Sequence, residues 1–269
     1  GFTCDRPSTL DLVADPRAEN ITHIRCKAKD VPVWHGFDEH GGKNIKWLDC
    51  ETYNCKRGLS IGGSAVAGVD TYAPLDAYVR GGTFDSGVDD GSAGIGIYVT
   101  GTPGTSTTFP TEYATGKISG VTVKRHGSQS SATSAGISLQ ATRNFSLTDI
   151  TCIECSPIAV LWLYHNDGGS LRGLTAVDTW TNTVGASPSC GVAVSPNTGW
   201  NKVSIAGVKG IRATKSATYV NGRGISSGST TLGTEILLGD SDLTAFATPT
   251  SAADGDRKST RLNSSHGII

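Results

Sequence analysis

The chain is expected to be an all-β solenoid, built from short strands stacked in parallel along one axis. Three observations predict this. A short pattern recurs at roughly 20–50 residue intervals, the signature of a repeat architecture. Apolar positions alternate or come in runs of two to four, with no long stretch of helical period. The composition has 35 Gly in 269 residues and few charges, which suits many short strands and turns. A chain this long is near the limit for one compact core, but a solenoid grows by stacking and escapes that limit.

The pattern has two halves. One is Gly-led: Gly58-Leu59-Ser60-Ile61, Gly94-Ile95-Gly96-Ile97, Gly136-Ile137-Ser138-Leu139 and Gly191-Val192-Ala193-Val194. The other is led by Asn or another polar residue, as in Asn20-Ile21-Thr22-His23, Asn44-Ile45-Lys46-Trp47 and Asn144-Phe145-Ser146-Leu147. Aligning the second half on Ile21, Ile45, Val79, Ile118, Phe145, Leu171, Val203 and Ile236 gives intervals from 24 residues (Ile21 to Ile45) to 39 (Val79 to Ile118). That corresponds to about seven to eight coils, the longer ones carrying inserted loops. Two residues on, the column is His23, Trp47, Gly81, Gly120, Leu147, Gly173, Ile205 and Leu238, mostly apolar or small, as an interior wall requires. Four residues on it is Arg25, Asp49, Thr83, Thr122, Asp149, Thr175, Gly207 and Asp240, a set that marks a bend. Asp49, Asp149 and Asp240 are therefore expected to be turn carboxylates. His23 is expected to be a buried structural histidine.

The repeat divides the chain into a lead-in segment or partial coil at 1–19, a solenoid over 20–250 and a tail at 251–269. Within the tail, Asp256 to His266 resembles a translated sequencing adapter, so this stretch is expected to be read-through on a metagenomic fragment. Loops at Gly62–Leu75, Thr100–Gly116 and Asp178–Ser189 are expected to wall a lateral face.

Seven cysteines are present. Cys152 and Cys155 have C-x-x-C spacing, but one such pair is weak ground for zinc or redox chemistry. Cys26 and Cys50 share one offset in the repeat, and Cys55 and Cys155 another, so interior stacking of small thiols is the simpler account. A formal net charge of −1 gives no electrostatic reason to expect nucleic acid or an anionic membrane as partner. The longest apolar run, Ile158 to Tyr164, is far too short to span a bilayer.

The segments GISLQATRNFSLTDITCIEC and HGGKNIKWLDCETYNCKRGLSIGG resemble coils of the right-handed parallel β-helix, or pectate-lyase-like, superfamily. The resemblance covers about Asn20 to Leu243. It implies a right-handed parallel β-helix solenoid, an extracellular or virion-associated location and a polysaccharide partner. Phage members imply a homotrimer. It leaves the activity open among hydrolases, lyases, epimerases and tailspikes. Of the four polygalacturonase-like motifs only an Asp-Asp, Asp89-Asp90, is found, and the calcium-and-arginine site of pectate lyases has no match.

The densest polar cluster is His35-Gly36-Phe37-Asp38-Glu39-His40, at the place of a Gly-led strand. If Phe37 points inward like Leu59, Asp38 and His40 point outward on one face. They would then head columns shared with Ser60 and Gly96, and with Gly62 and Tyr98, leaving room for a sugar ring. A carboxylate and an imidazole can act as general acid and base on a glycosidic bond or a uronate C5 proton. Asp38, His40, Asp89 and Asp90 are the expected catalytic residues; His35, Tyr98, Tyr164 and His165 are the expected substrate contacts. The alternatives are a solvated polar turn, a divalent-cation site at Asp38 and His40, and an acidic surface turn around Asp85, Asp89 and Asp90. No cofactor is expected, calcium being the ion an Asp-rich glycine loop could take. Lys124-Arg125-His126 is expected to be exposed and basic. The expected function is cleavage of a polysaccharide by carboxylate and His acid–base chemistry. A non-catalytic structural or glycan-binding phage tail or adhesin segment is the alternative, and a uronate C5-epimerase the third.

Overall fold

The structure, a computed structural model, describes residues 2–4, 18–62, 72–87, 94–102, 110–127, 134–155, 157–163, 165–178, 190–194, 201–211, 223–227, 234–246 and 248–252. Among these residues there are nineteen strands and no helix. The strands pair in parallel, each with the strand reached one turn of chain later rather than with its sequence neighbour. This arrangement is consistent with a parallel β solenoid.

The pairings form three ladders. The first joins β2 (Thr22–Ile24), β4 (Lys46–Leu48), β6 (Ala77–Arg80), β9 (Gly116–Ser119) and β18 (Thr234–Leu238) with parts of β12 (Ser146–Ile153), β14 (Asn166–Val177) and β16 (Asn201–Ile211). The second joins the start of β3 (Lys27–His40), the start of β5 (Glu51–Gly62), β7 (Thr83–Asp85), β10 (Thr122–Lys124) and the ends of β12, β14 and β16. The third joins β1 (Phe2–Cys4), the ends of β3 and β5, β8 (Ile97–Thr100), β11 (Ala135–Gln140), β13 (Ile158–Trp162), β15 (Cys190–Val194), β17 (Arg223–Ser227) and β19 (Thr248–Ala252). β1 lies inside the expected lead-in segment, and β19 runs past residue 250.

The interior column of the first ladder is His23, Trp47, Val79, Ile118, Leu147, Leu171, Ile205 and Leu238. Val79, Ile118 and Leu171 thus sit two residues away from where the aliphatic alignment puts them. A slip of two preserves the face of every side chain, so these residues keep the interior face that the sequence predicts. It does displace the bend. The residues that turn the chain from the first ladder to the second are Arg25, Asp49, Gly81, Gly120, Asp149, Gly173 and Gly207, all with φ between 51° and 80°. Thr83, Thr122 and Thr175, expected at the bend, instead stand with Thr151 on the outer side of the second ladder. Asp49 and Asp149 are turn residues, as expected.

A second set of left-handed residues, Asp30, Asn54, Gly87, Arg125, Glu154 and Asp178, closes the second ladder. Polar side chains stack at the corners. Asn44 Nδ2 donates to Asn20 Oδ1 at 2.7 Å and Asn54 Nδ2 to Asp30 Oδ1 at 2.8 Å. Further along, buried Asn166 accepts from Thr142 Oγ1 at 2.7 Å and donates to Asn201 Oδ1 at 2.8 Å. Asn166, inside the wall, therefore keeps hydrogen-bond partners on both neighbouring rungs, without which its burial would be costly.

The interior is filled by Trp47, Trp162, Phe37, Phe84, Phe145 and stacked aliphatics, all fully buried. Cys50 stacks above Cys26, as expected. Cys55 and Cys155 share a column but are three rungs apart, with His126 between them. Cys26, Cys50, Cys55, Cys152, Cys155 and Cys190 are free thiols. Burial pushes the Cys50 thiol up, outweighing backbone hydrogen bonds that lower it; contact with Cys155 and burial push Cys152 up further. His23 is only half-buried and stacks on Trp47 at 5.7 Å, its pKa lowered by burial.

Candidate functional site

The candidate site lies on the outer side of the third ladder. Register sets its columns: Asp38 beside Ser60, then Tyr98, then Ser138; and His40 beside Gly62, then Thr100, then Gln140. The Ser60 and Gly62 neighbours are as the sequence predicts. Tyr98 belongs to the Asp38 column rather than that of His40, because Gly58 pairs with Gly96 and not Gly94. The fit is close: a Cβ on Gly58 would lie 2.5 Å from the Gly96 carbonyl oxygen. Glycine at that level lets successive rungs approach and sets the level of the polar residues that follow.

Asp38 is the centre of the cluster. It is 6% exposed, although its side chain faces outward. His40 Nε2 lies 3.1 Å from Asp38 Oδ2 in hydrogen-bond geometry, and the His40 side chain is 38% exposed. His35, 7% exposed, places Nδ1 at 3.1 Å from Asp38 Oδ1, off the line of a directed hydrogen bond. Burial pushes the Asp38 carboxyl up, but the two imidazoles outweigh it and hold the group well below the usual carboxylate range. Asp38 is thus an anion in hydrogen-bond contact with His40 on one side, with the His35 ring set against its other oxygen.

Arg57 extends the cluster to the next rung. Its Nη1 lies 3.0 Å from His35 Nε2, and its guanidinium carbon lies 5.6 Å from the centre of the Tyr98 ring. Tyr98 donates to Gln140 Oε1 at 3.3 Å. Trp34, 63% exposed, stacks on His35 at 4.7 Å. The polar array thus runs from Trp34 to Gln140 across four rungs. Glu39 faces the interior, where its Oε1 accepts from the Gly42 N–H.

Arg57 was not expected. It is one coil above His35, and extending the Gly36/Gly58 match back by one residue pairs the two. His165 is fully buried with φ of 65°, a corner position enclosed by the wall rather than open to a ligand. Asp89, Asp90 and Tyr164 lie outside the described residues. Asp85 is held by Arg125, which donates Nε to Oδ1 at 2.9 Å and Nη2 to Oδ2 at 2.5 Å; this hydrogen bond to Asp85 raises the Arg125 pKa. His126 is buried, so Lys124-Arg125-His126 is not an exposed basic triplet. Among the described residues, no group of three or more His, Cys, Asp or Glu is placed to hold a metal ion.

The outer side of the third ladder changes character along the axis. Beyond Ser138 and Gln140 it becomes apolar, with Leu161, Leu163, Ile158, Cys190 and Ala193 forming a second buried cluster. An open groove of ≈ 450 Å³ lies at the corner leading to the first ladder, lined by Leu75, Glu112, Tyr113 and Arg143 among others. There Arg143 stacks 4.1 Å from the Tyr113 ring centre and pairs with Asp167 at 3.3 Å.

No protein-family profile matches the chain, and neither a curated protein nor a solved structure matches it.

Proposed function

We propose that the chain is a right-handed parallel β-helix of the pectate-lyase-like kind that acts on an anionic polysaccharide outside the cell or on a virion. His40 is the base of a lyase reaction, and Asp38 orients it. The observation that carries this reading is the part-exposed His40 imidazole, held at 3.1 Å by a buried, ionised carboxylate on a face that also carries Ser60 and Gly62. In the reaction His40 takes the C5 proton of a uronate unit. The electron pair forms the C4–C5 double bond, the C4–O bond breaks, and the departing glycosidic oxygen takes up a proton. Positioned proton transfer of this kind contributes about 10²–10⁴-fold. Hydrolysis would need two carboxyls about 5–9 Å apart. Among the described outward residues of the third ladder, Asp38 is the single carboxylate, which favours elimination over hydrolysis.

A second reading, a non-catalytic glycan-binding shaft, is favoured by a different face. Thr83, Thr122, Thr151 and Thr175 stack as a regular row on the second ladder. The two readings part in one assay. Wild type, His40→Ala and Asp38→Ala are incubated with bacterial, algal and plant polyuronates, following the ultraviolet absorbance of unsaturated uronate. The lyase reading expects absorbance from wild type and a loss of about 100-fold or more in His40→Ala. New reducing ends without the absorbance indicate a hydrolase, C5 inversion without cleavage an epimerase, and binding alone the shaft.

A further inference from the structure

Asp38 and His40 belong to a longer chain of contacts that starts one coil away. We propose that Arg57 is a positioning residue that fixes His35 as the tautomer protonated on Nδ1, turning that proton toward Asp38, while Asp38 holds His40 as the tautomer protonated on Nε2. This rests on the reading of His40 as the base, and it concerns how that base is prepared.

The inference follows from which atoms can donate. A guanidinium has only donors. Arg57 Nη1 lies 3.0 Å from His35 Nε2, so that nitrogen carries the ring's lone pair. A neutral imidazole with its lone pair on Nε2 carries its proton on Nδ1. The His35 Nδ1–H then lies against Asp38 Oδ1 at 3.1 Å, a coupling that is chiefly electrostatic because it is off line. An ionised carboxylate only accepts. Asp38 Oδ2, 3.1 Å from His40 Nε2, therefore takes a proton from that nitrogen, and the His40 lone pair resides on Nδ1. Each end of the chain is anchored. Trp34 stacks on the His35 ring with an interplanar angle of 18°, and the Tyr98 ring lies beneath Arg57.

The chain makes His35 diagnostic. Free imidazole side chains in water favour the Nε2–H tautomer, whereas Arg57 enforces Nδ1–H. The test is ¹⁵N NMR of the histidine-labelled 269-residue chain, which reads tautomers directly and needs no substrate. Wild type should show His35 as Nδ1–H and His40 as Nε2–H. Arg57→Met should shift the His35 ratio toward Nε2–H by about tenfold or more, the bias expected from one hydrogen bond to a charged donor. Arg57→Lys, which keeps a cationic donor, should retain the wild-type pattern. His35 as Nε2–H or His40 as Nδ1–H in wild type would overturn the inference without any variant. An unchanged His35 tautomer in folded Arg57→Met would do the same. A failure of the lyase assay with the predicted tautomers present removes the reaction but leaves the positioning chain standing.

Discussion

His126 offers a direct test of the interior. It is 1% exposed, between the Cys55 and Cys155 levels. A Cβ on Gly96 would meet its Cδ2 at 3.1 Å. Its Nδ1 lies 3.3 Å from the Gly94 carbonyl oxygen, and its Nε2 has no hydrogen-bond partner among the described residues. Asp85 and Arg125 are the charged groups facing it, and they act in opposite directions. Burial is the larger influence and pushes the pKa down to about 4. A histidine pKa depressed on folding means that the unfolded chain takes up the proton first. Its contribution to stability is complete above about pH 6.5 and is lost as pH falls through about 4. At 1.36 kcal/mol per pKa unit, the difference from 6.5 amounts to roughly 3 kcal/mol in full, of which about 2.5 should appear between about pH 7.5 and 4.5. Urea unfolding of wild type and His126→Gln at the two pH values reads it. The wild type should lose about 2.5 kcal/mol more than the variant over that interval. Equal losses in the two proteins would refute a buried, neutral His126.

Four other outcomes follow from the coils. Gly82→Ala, at φ of 86° with its Cβ 2.0 Å from the Cys50 carbonyl oxygen, should destabilise by about 3 kcal/mol or more; Gly120→Asn, at φ of 62° with nothing nearer than 4.0 Å, should stay within about 1 kcal/mol of wild type in the same thermal melts. Asn166→Ala strands Thr142 and Asn201 inside the corner and should cost about 2–4 kcal/mol by chemical denaturation. Cys26, part-exposed, should react with an aromatic disulfide reagent in the folded protein, while Cys152 and Cys155 should react only as fast as the chain unfolds.

The interior is legible because period-2 alternation survives small alignment errors: the pattern alone puts Trp47, Leu147 and Ile205 on the core face. The bend was less legible. Anchoring the alignment on aliphatic residues slid Val79, Ile118 and Leu171 by two, so Thr was put where Gly81, Gly120 and Gly173 turn the chain. A positive φ leaves its trace in Gly, Asp and Asn, and aligning on those residues would have found the column. The outward direction of Asp38 and His40 was legible from Phe37 and Leu59. The burial of Asp38 was not, because alternation gives the face of a side chain and not what covers it. His126 departs from the expected exposed triplet for a related reason: Arg125 takes up a left-handed conformation, which breaks strict alternation and turns the next residue inward. The His35–Arg57 contact spans 22 residues and becomes visible only once the coils are in register.

The central claim, that an Asp38-oriented His40 imidazole performs the proton transfer, is tested most directly by chemical rescue. His40→Gly should lose about 10²–10⁴-fold of the turnover of the polyuronate that wild type degrades, and added imidazole should restore part of it with saturating dependence. Turnover in His40→Gly equal to wild type, or a loss that imidazole leaves untouched, would contradict the account.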